Sequence, residues 1–163
     1  MQTFISKSIG LRRKQLNTGT PAEVFPLLCP VREADWIDGW TYEMIFSVSG
    51  VAEEGCVFTT PATGDKKTTW YITKHDAELF QVAFVRVTPG EMVVAIDIQL
   101  TDNCDGTTTA DIMYEYTALN EEANRWIELD AVAAFKTNMD YWENAINHYL
   151  ITGTKLMKSP VLN

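Results

Sequence analysis

Between about Glu121 and Ile151 the chain carries one long helical pattern, and it comes last, after a series of strand-like segments separated by turns. Ile127, Ala131, Ala134, Phe135, Trp142, Ala145, Ile146 and Tyr149 recur at three- and four-residue steps, the spacing that aligns side chains on one face of a helix. A helix with one apolar face needs something to cover it. Nothing earlier in the chain is long enough to do so except a sheet, so the sheet must curl around the helix. A curled sheet packed on a single helix rarely fills its own interior, which makes an internal cavity the feature to expect.

The segments upstream fit such a sheet. From about Thr3 to Leu16, the apolar residues Phe4, Ile5, Ile9, Leu11 and Leu16 stand among polar ones and read as a first long strand. Thr20-Pro21-Ala22-Glu23 is a full helix start, with Thr20 to cap, Pro21 suited to the first helical position and Glu23 able to reach back and close a capping box. Pro30 biases Cys29 away from helical angles, so Val24, Phe25, Leu27 and Leu28 belong to a two-turn helix. A second short helix is predicted through Glu33-Ala34-Asp35-Trp36, ending near Gly39.

After Trp40 the period becomes two. Tyr42, Met44, Phe46 and Val48 alternate with Thr41, Glu43, Ile45 and Ser47, the mark of a half-buried strand. Further strands are expected at Cys56–Thr60, Thr68–Lys74, Leu79–Val87, Met92–Leu100 and Thr107–Ala118, the last with Ala110, Ile112, Tyr114 and Tyr116 on one face. The connections are as short as Thr88-Pro89-Gly90-Glu91, a type II turn pattern, and short connections join antiparallel neighbours. Asn120 is placed to cap the final helix and Gly153 to stop it in the left-handed conformation. The expectation is one domain, residues 1–153, followed by a flexible tail, residues 154–163.

Composition narrows the function classes. Apolar residues make up 46% and charged residues 21% of the 163 residues, ordinary values for a folded domain large enough to build a core without disulfides or a metal. The formal net charge of −9 argues against nucleic-acid partners, which require a surface of Lys and Arg; Arg12-Arg13-Lys14 and Lys66-Lys67 read as solvated strand ends. Cys29, Cys56 and Cys104 are too scattered for a disulfide framework or a zinc site, and His75 and His148 are the only histidines, so no metal or cofactor is expected. No apolar run approaches the roughly 20 residues of a membrane span. The first residues lack the layout of a signal peptide, so the expected location is the cytoplasm.

The order of elements, one strand, two short helices, a meander of about six strands and one long helix, resembles the helix-grip fold of the START and birch-allergen-like superfamily, which includes polyketide cyclases and lipid-transfer domains. Local signals carry the same resemblance. Thr20-Pro21-Ala22-Glu23-Val24-Phe25 is similar to the usual opening of that family's first helix. The stretch Leu28-Cys29-Pro30-Val31-Arg32-Glu33, with Asp35-Trp36-Ile37 and Gly39-Trp40, resembles a bacterial subgroup of stand-alone domains. The resemblance implies an α+β fold of about seven curved antiparallel strands around a long C-terminal helix. It also implies a cavity between the concave sheet face and that helix, closed at one end by the short helices. The scaffold hosts binding, transfer and catalysis, so it does not choose among them. Two subgroups do not fit: the glycine-dense loop of the plant pathogenesis-related proteins is replaced here by residues 49–55, and Rieske-type chemistry needs more histidines.

Within that frame Trp70, Phe84, Arg86, Tyr114 and Tyr116 are expected to face inward, with Trp142 above them on the helix and Trp36 and Trp40 at the mouth. Each bulky group can equally serve as core. An inward Arg86 must find a carboxylate, a phosphate or an internal partner, unless it reaches solvent at a strand end. Tyr114 and Tyr116 can orient an apolar ligand through their hydroxyls. Glu33 and His75 are weak catalytic candidates, Glu33 as a proton acceptor near the mouth and His75 as a base, although His75 is expected in an exposed hairpin connection. The leading expectation is non-covalent binding of a small hydrophobic molecule, a lipid or an aromatic or polyketide-like compound, with no nucleic acid and no integral membrane association. The alternatives are a polyketide cyclase-like enzyme in the same cavity, or a protein-interaction module on the outer face of the sheet, whose Thr69, Gln81, Asp97, Gln99, Thr109 and Asp111 look polar.

Overall fold

The computed structural model describes residues 3–159. Seven strands form one antiparallel sheet in the order β1-β7-β6-β5-β4-β3-β2. They are β1 Ser8–Asn17, β2 Glu43–Phe46, β3 Val57–Pro61, β4 Lys67–Asp76, β5 Gln81–Thr88, β6 Met92–Asp102 and β7 Thr108–Ala118. The helices are α1 Pro21–Val24, extended by a 3-10 turn Phe25–Leu27, then α2 Pro30–Trp36, α3 Glu121–Leu129 and α4 Ala131–Thr152. This is the expected α+β grip. The strands from β2 onward pair in chain order, and β1 closes onto β7 with Ile9 opposite Tyr116 and Leu11 opposite Tyr114.

Local chemistry explains most boundaries. Thr20 N donates to Glu23 Oε2 at 2.8 Å, the returning arm of the capping box, and Pro21 occupies the first turn. Pro30 does more than end the preceding turn: it opens α2, which starts three residues before the predicted Glu33. Asn120 caps α3 by accepting from Ala123 N at 2.7 Å, and Gly153 ends α4 at φ 69°.

Four expectations need correction. The single helical span expected over Glu121–Ile151 is two helices, α3 and the long C-terminal α4, interrupted at Asp130, whose φ of −122° leaves the helical region. Ala134 is consequently exposed, whereas Met139, absent from the expected stripe, is fully buried. The first strand starts at Ser8, not Thr3; residues 5–7 are instead held by Asn124, which takes Lys7 N at 2.8 Å and donates to Ile5 O at 2.9 Å. In β2 a bulge between Met44 and Phe46 reverses the alternation, so Phe46 and Val48 face solvent. His75 lies in β4 opposite Val82, not in an exposed connection. Beyond α4, Leu156 bridges Ile37 in parallel, and Lys158 N donates to Asp38 Oδ2 at 3.0 Å.

The core fills the grip between the concave face and the helices. Ile72, Val82, Val94, Ile98 and Ile112 from the sheet meet Ile127, Phe135, Met139 and Ile146 from α3 and α4. The packing is made specific by ion pairs outside it, chiefly Arg13 of β1 with Asp140 and Glu143 of α4. The outer face of the sheet is mixed: Thr69, Asp97 and Glu115 are exposed, and so are Tyr71 and Met113.

Candidate functional site

Strand pairing assembles two rows across the concave face. The first runs Ile9, Tyr116, Val94, Arg86, Trp70, Phe58 and Met44, each directly opposite the next on the neighbouring strand. The second runs Leu11, Tyr114, Ile96, Phe84 and Ile72. Arg86 is the one charged residue in these rows. The period of two along each strand dictates this placement, since Arg86 keeps phase with Phe84 and Val82.

Aromatic rings frame it. Trp70 stacks on Phe58 at 5.4 Å and meets Phe84 edge-on at 6.1 Å and Trp40 at 6.2 Å. The Arg86 guanidinium carbon lies 5.3 Å from the Trp70 ring centroid, a cation–π geometry. Trp70 Nε1 donates to Thr60 Oγ1 at 2.9 Å and Trp40 Nε1 to Pro30 O at 2.8 Å, which pins both indoles. On the helix side Phe135 packs on Tyr114 at 5.4 Å and Trp126 on Tyr116 at 5.3 Å.

A recess of about 260 Å³ opens where the Ile37–Trp40 segment leaves α2; Arg86 and Tyr114 reach it from the sheet, Asn138 and Trp142 from α4, and Lys158 from the tail. A larger groove of about 870 Å³ follows the outer side of α4 beside Leu156–Ser159. It shares Asn138 and Lys158 with the recess but touches no concave-face residue.

One polar atom beside the recess lacks a partner. Arg86 Nε is buried and has no hydrogen bond among the described residues, in contrast to Arg12, Arg13 and Arg32, each of which holds a carboxylate. Burial pushes the Glu33 carboxyl up to about 8, so it is largely protonated at neutral pH. Burial also raises the Tyr114 hydroxyl above its ordinary value; the charge of Arg86 pulls it back down, while Tyr116 and Glu33 push it further up. Tyr116 is raised by burial and lowered by Arg86. Glu33 and Arg86 therefore both act on Tyr114, and both tyrosines remain neutral donors at any ordinary pH.

Not every expected site residue joins this group. Trp40, Trp70, Arg86, Tyr114 and Trp142 line the recess, and Phe84 and Tyr116 form the wall behind it. Trp36, expected at the mouth, is instead fully buried core: its Nε1 donates to Leu27 O at 2.9 Å and its ring meets Trp142 edge-on at 5.2 Å. Glu33 is on the same helix and, at 6% exposure, is buried rather than a surface charge. His75 is separate, its ring 5.1 Å from Phe25, with burial lowering its pKa. Sequence reasoning missed Asp38, Asn138 and Lys158, which line the mouth. Only Asn138 stands in a regular element, one residue before the buried Met139, and no periodic signal marks the other two.

No protein-family sequence model and no curated protein matches the chain. Solved structures do. Norcoclaurine synthase from Thalictrum flavum superposes with a TM-score of 0.65 at 10% identity, over 90% of this chain and 88% of that one. A second structure of that enzyme, holding dopamine and hydroxybenzaldehyde, gives a TM-score of 0.63 at 10% identity over 93% of this chain and 97% of that one. The Zhui aromatase/cyclase from Streptomyces sp. R1128 gives 0.67 at 10% identity, over 92% of this chain and all 100% of that one. Ara h 8.0201 gives 0.62 at 13%, over 90% and 99%. The chain thus shares the helix-grip fold of these structures. Identities this low show the fold and leave the activity to the site. No described helix is long and apolar enough to cross a membrane.

Proposed function

We propose that the protein binds a small, largely aromatic or apolar molecule non-covalently in the recess between the sheet and α4. One observation carries the reading: a recess walled by Trp40, Trp70 and Trp142 is also lined by Arg86, whose buried Nε has no hydrogen bond among the described residues. Buried polar groups demand partners, and a ligand or water must supply them. Affinity comes from burying apolar area, at roughly 25 cal/mol per Å². About 260 Å³ suits one or two rings, the scale of the hydroxybenzaldehyde in the norcoclaurine synthase complex.

Native mass spectrometry of protein purified from its own host, followed by extraction, tests this directly. A recurrent small aromatic or lipid supports it. Empty protein, with no quenching of tryptophan fluorescence and no thermal shift across an aromatic library, overturns it.

A second reading, a proton-transferring enzyme of the cyclase kind, is favoured by the shared action of Glu33 and Arg86 on Tyr114. The neutral Tyr114 lines the recess and can donate to a ligand carbonyl, with the mostly protonated Glu33 close enough to act on it. On this reading, aromatic aldehyde or poly-β-ketone probes are turned over by the protein and not by Glu33→Gln or Tyr114→Phe. Probes recovered unchanged from the unsubstituted protein eliminate it.

A further inference from the structure

Resting on the binding reading and deepening it, we propose that the recess takes a singly charged carboxylate on a ring-sized apolar body. Arg86 holds the carboxylate at the floor, and Leu156–Lys158 forms a strap that closes over the mouth and adds a second cation.

The strap is built from specific contacts. Leu156 bridges Ile37, and its carbonyl accepts from the Tyr141 hydroxyl at 3.0 Å. The same hydroxyl oxygen accepts from Asp38 N at 2.8 Å, so Tyr141 joins the strap to the segment leaving α2. Lys158 N then donates to Asp38 Oδ2 at 3.0 Å. The Lys158 ammonium rests over the Tyr141 ring, 4.8 Å from its centroid, with no carboxylate within 4 Å among the described residues. Its side chain lines the recess together with Arg86.

The charge balance selects the ligand. Arg86 and Lys158 are positive and Asp38 is negative, while Tyr114 and Asn138 are neutral. Glu33, near Tyr114, is mostly protonated at neutral pH and does not cancel Arg86. One positive charge is left over in a chain of net charge −9. A monoanion completes the balance, whereas a dianionic phosphate brings a surplus charge up against Asp38. Carboxylate geometry also suits the planar guanidinium of Arg86, which lines the recess with no carboxylate paired to it among the described residues, with the Tyr114 hydroxyl as a further donor.

The test compares 2-naphthoate, 2-naphthamide and 2-naphthyl phosphate, binding each to the full chain at pH 7 by calorimetry and tryptophan fluorescence. 2-Naphthoate is expected to bind about tenfold or more tighter than the amide, the worth of a charge-assisted hydrogen bond, and tighter than the phosphate. Arg86→Met erases the preference for the acid over the amide, and Arg86→Lys, which keeps a cation and controls for folding, retains part of it. Lys158→Met, on an exposed strap, lowers naphthoate affinity a few-fold, speeds its dissociation and leaves the amide unchanged. Equal binding of acid and amide overturns this inference while leaving the binding reading intact; binding of neither overturns both. A phosphate that binds tightest overturns the charge assignment, and a Lys158→Met protein that binds and releases naphthoate normally overturns the strap.

Discussion

Arg86 stands over the indole of Trp70, its guanidinium carbon 5.3 Å from the ring centroid, and its Nε is buried with no hydrogen bond among the described residues. A cation–π contact contributes about 0.5 to 2 kcal/mol, while a buried donor left without a partner costs about 1 to 3 kcal/mol. Arg86→Met is therefore expected to stabilise the ligand-free protein by on the order of 1 kcal/mol. Urea unfolding checks this, and a clear loss of stability shows that Arg86 is already paired.

Glu33 makes stability depend on pH. Its folded value of about 8 lies above the ordinary glutamate value of 4.5, so between those two values the folded state keeps a proton that the unfolded chain has released. Stability from this group is fully present below pH 4.5 and is lost progressively up to pH 8. Glu33→Gln, which cannot ionise, should match the unsubstituted protein near pH 4.5 and exceed it by a few kcal/mol at pH 8. Denaturation midpoints at several pH values decide; parallel curves for the two proteins rule this out.

Gly153 offers a clean measure of backbone strain. It ends α4 at φ 69°, and a Cβ there meets nothing within 4 Å. Gly153→Ala should cost about 1 kcal/mol, all of it conformational. No change in the thermal midpoint contradicts the left-handed cap.

Trp36 tests the reassignment from mouth to core. Trp36→Phe removes the bond from its Nε1 to Leu27 O, leaves that carbonyl unpaired and opens a void beside Trp142. A loss of about 2 kcal/mol or more is expected, without a change in ligand preference. A large shift in ligand affinity with stability unchanged returns Trp36 to the site.

Much of the fold is legible in the sequence because local spacing carries it. Alternation along β5 and β7 is enough to put Phe84 with Arg86, and Tyr114 with Tyr116, on the concave face. Thr20, Pro21, Asn120 and Gly153 mark helix ends through the backbone groups those ends leave unpaired. The same reasoning fails where one residue alters the phase. The bulge before Phe46 turns the end of β2 outward, and the break at Asp130 splits one apparent stripe into two helices.

By itself, the sequence determined the order of elements, the inward face of most strands and the presence of a lone arginine among aromatic neighbours, since all three follow from the periods of the backbone. Only the tertiary structure decided that Trp40 and Trp70 reach the recess while Trp36 is core, that Glu33 is buried, and that Lys158, some 70 residues beyond Arg86 in the chain, returns to the same opening. Burial and proximity arise when distant segments pack, and spacing along one element holds no record of what another element will cover.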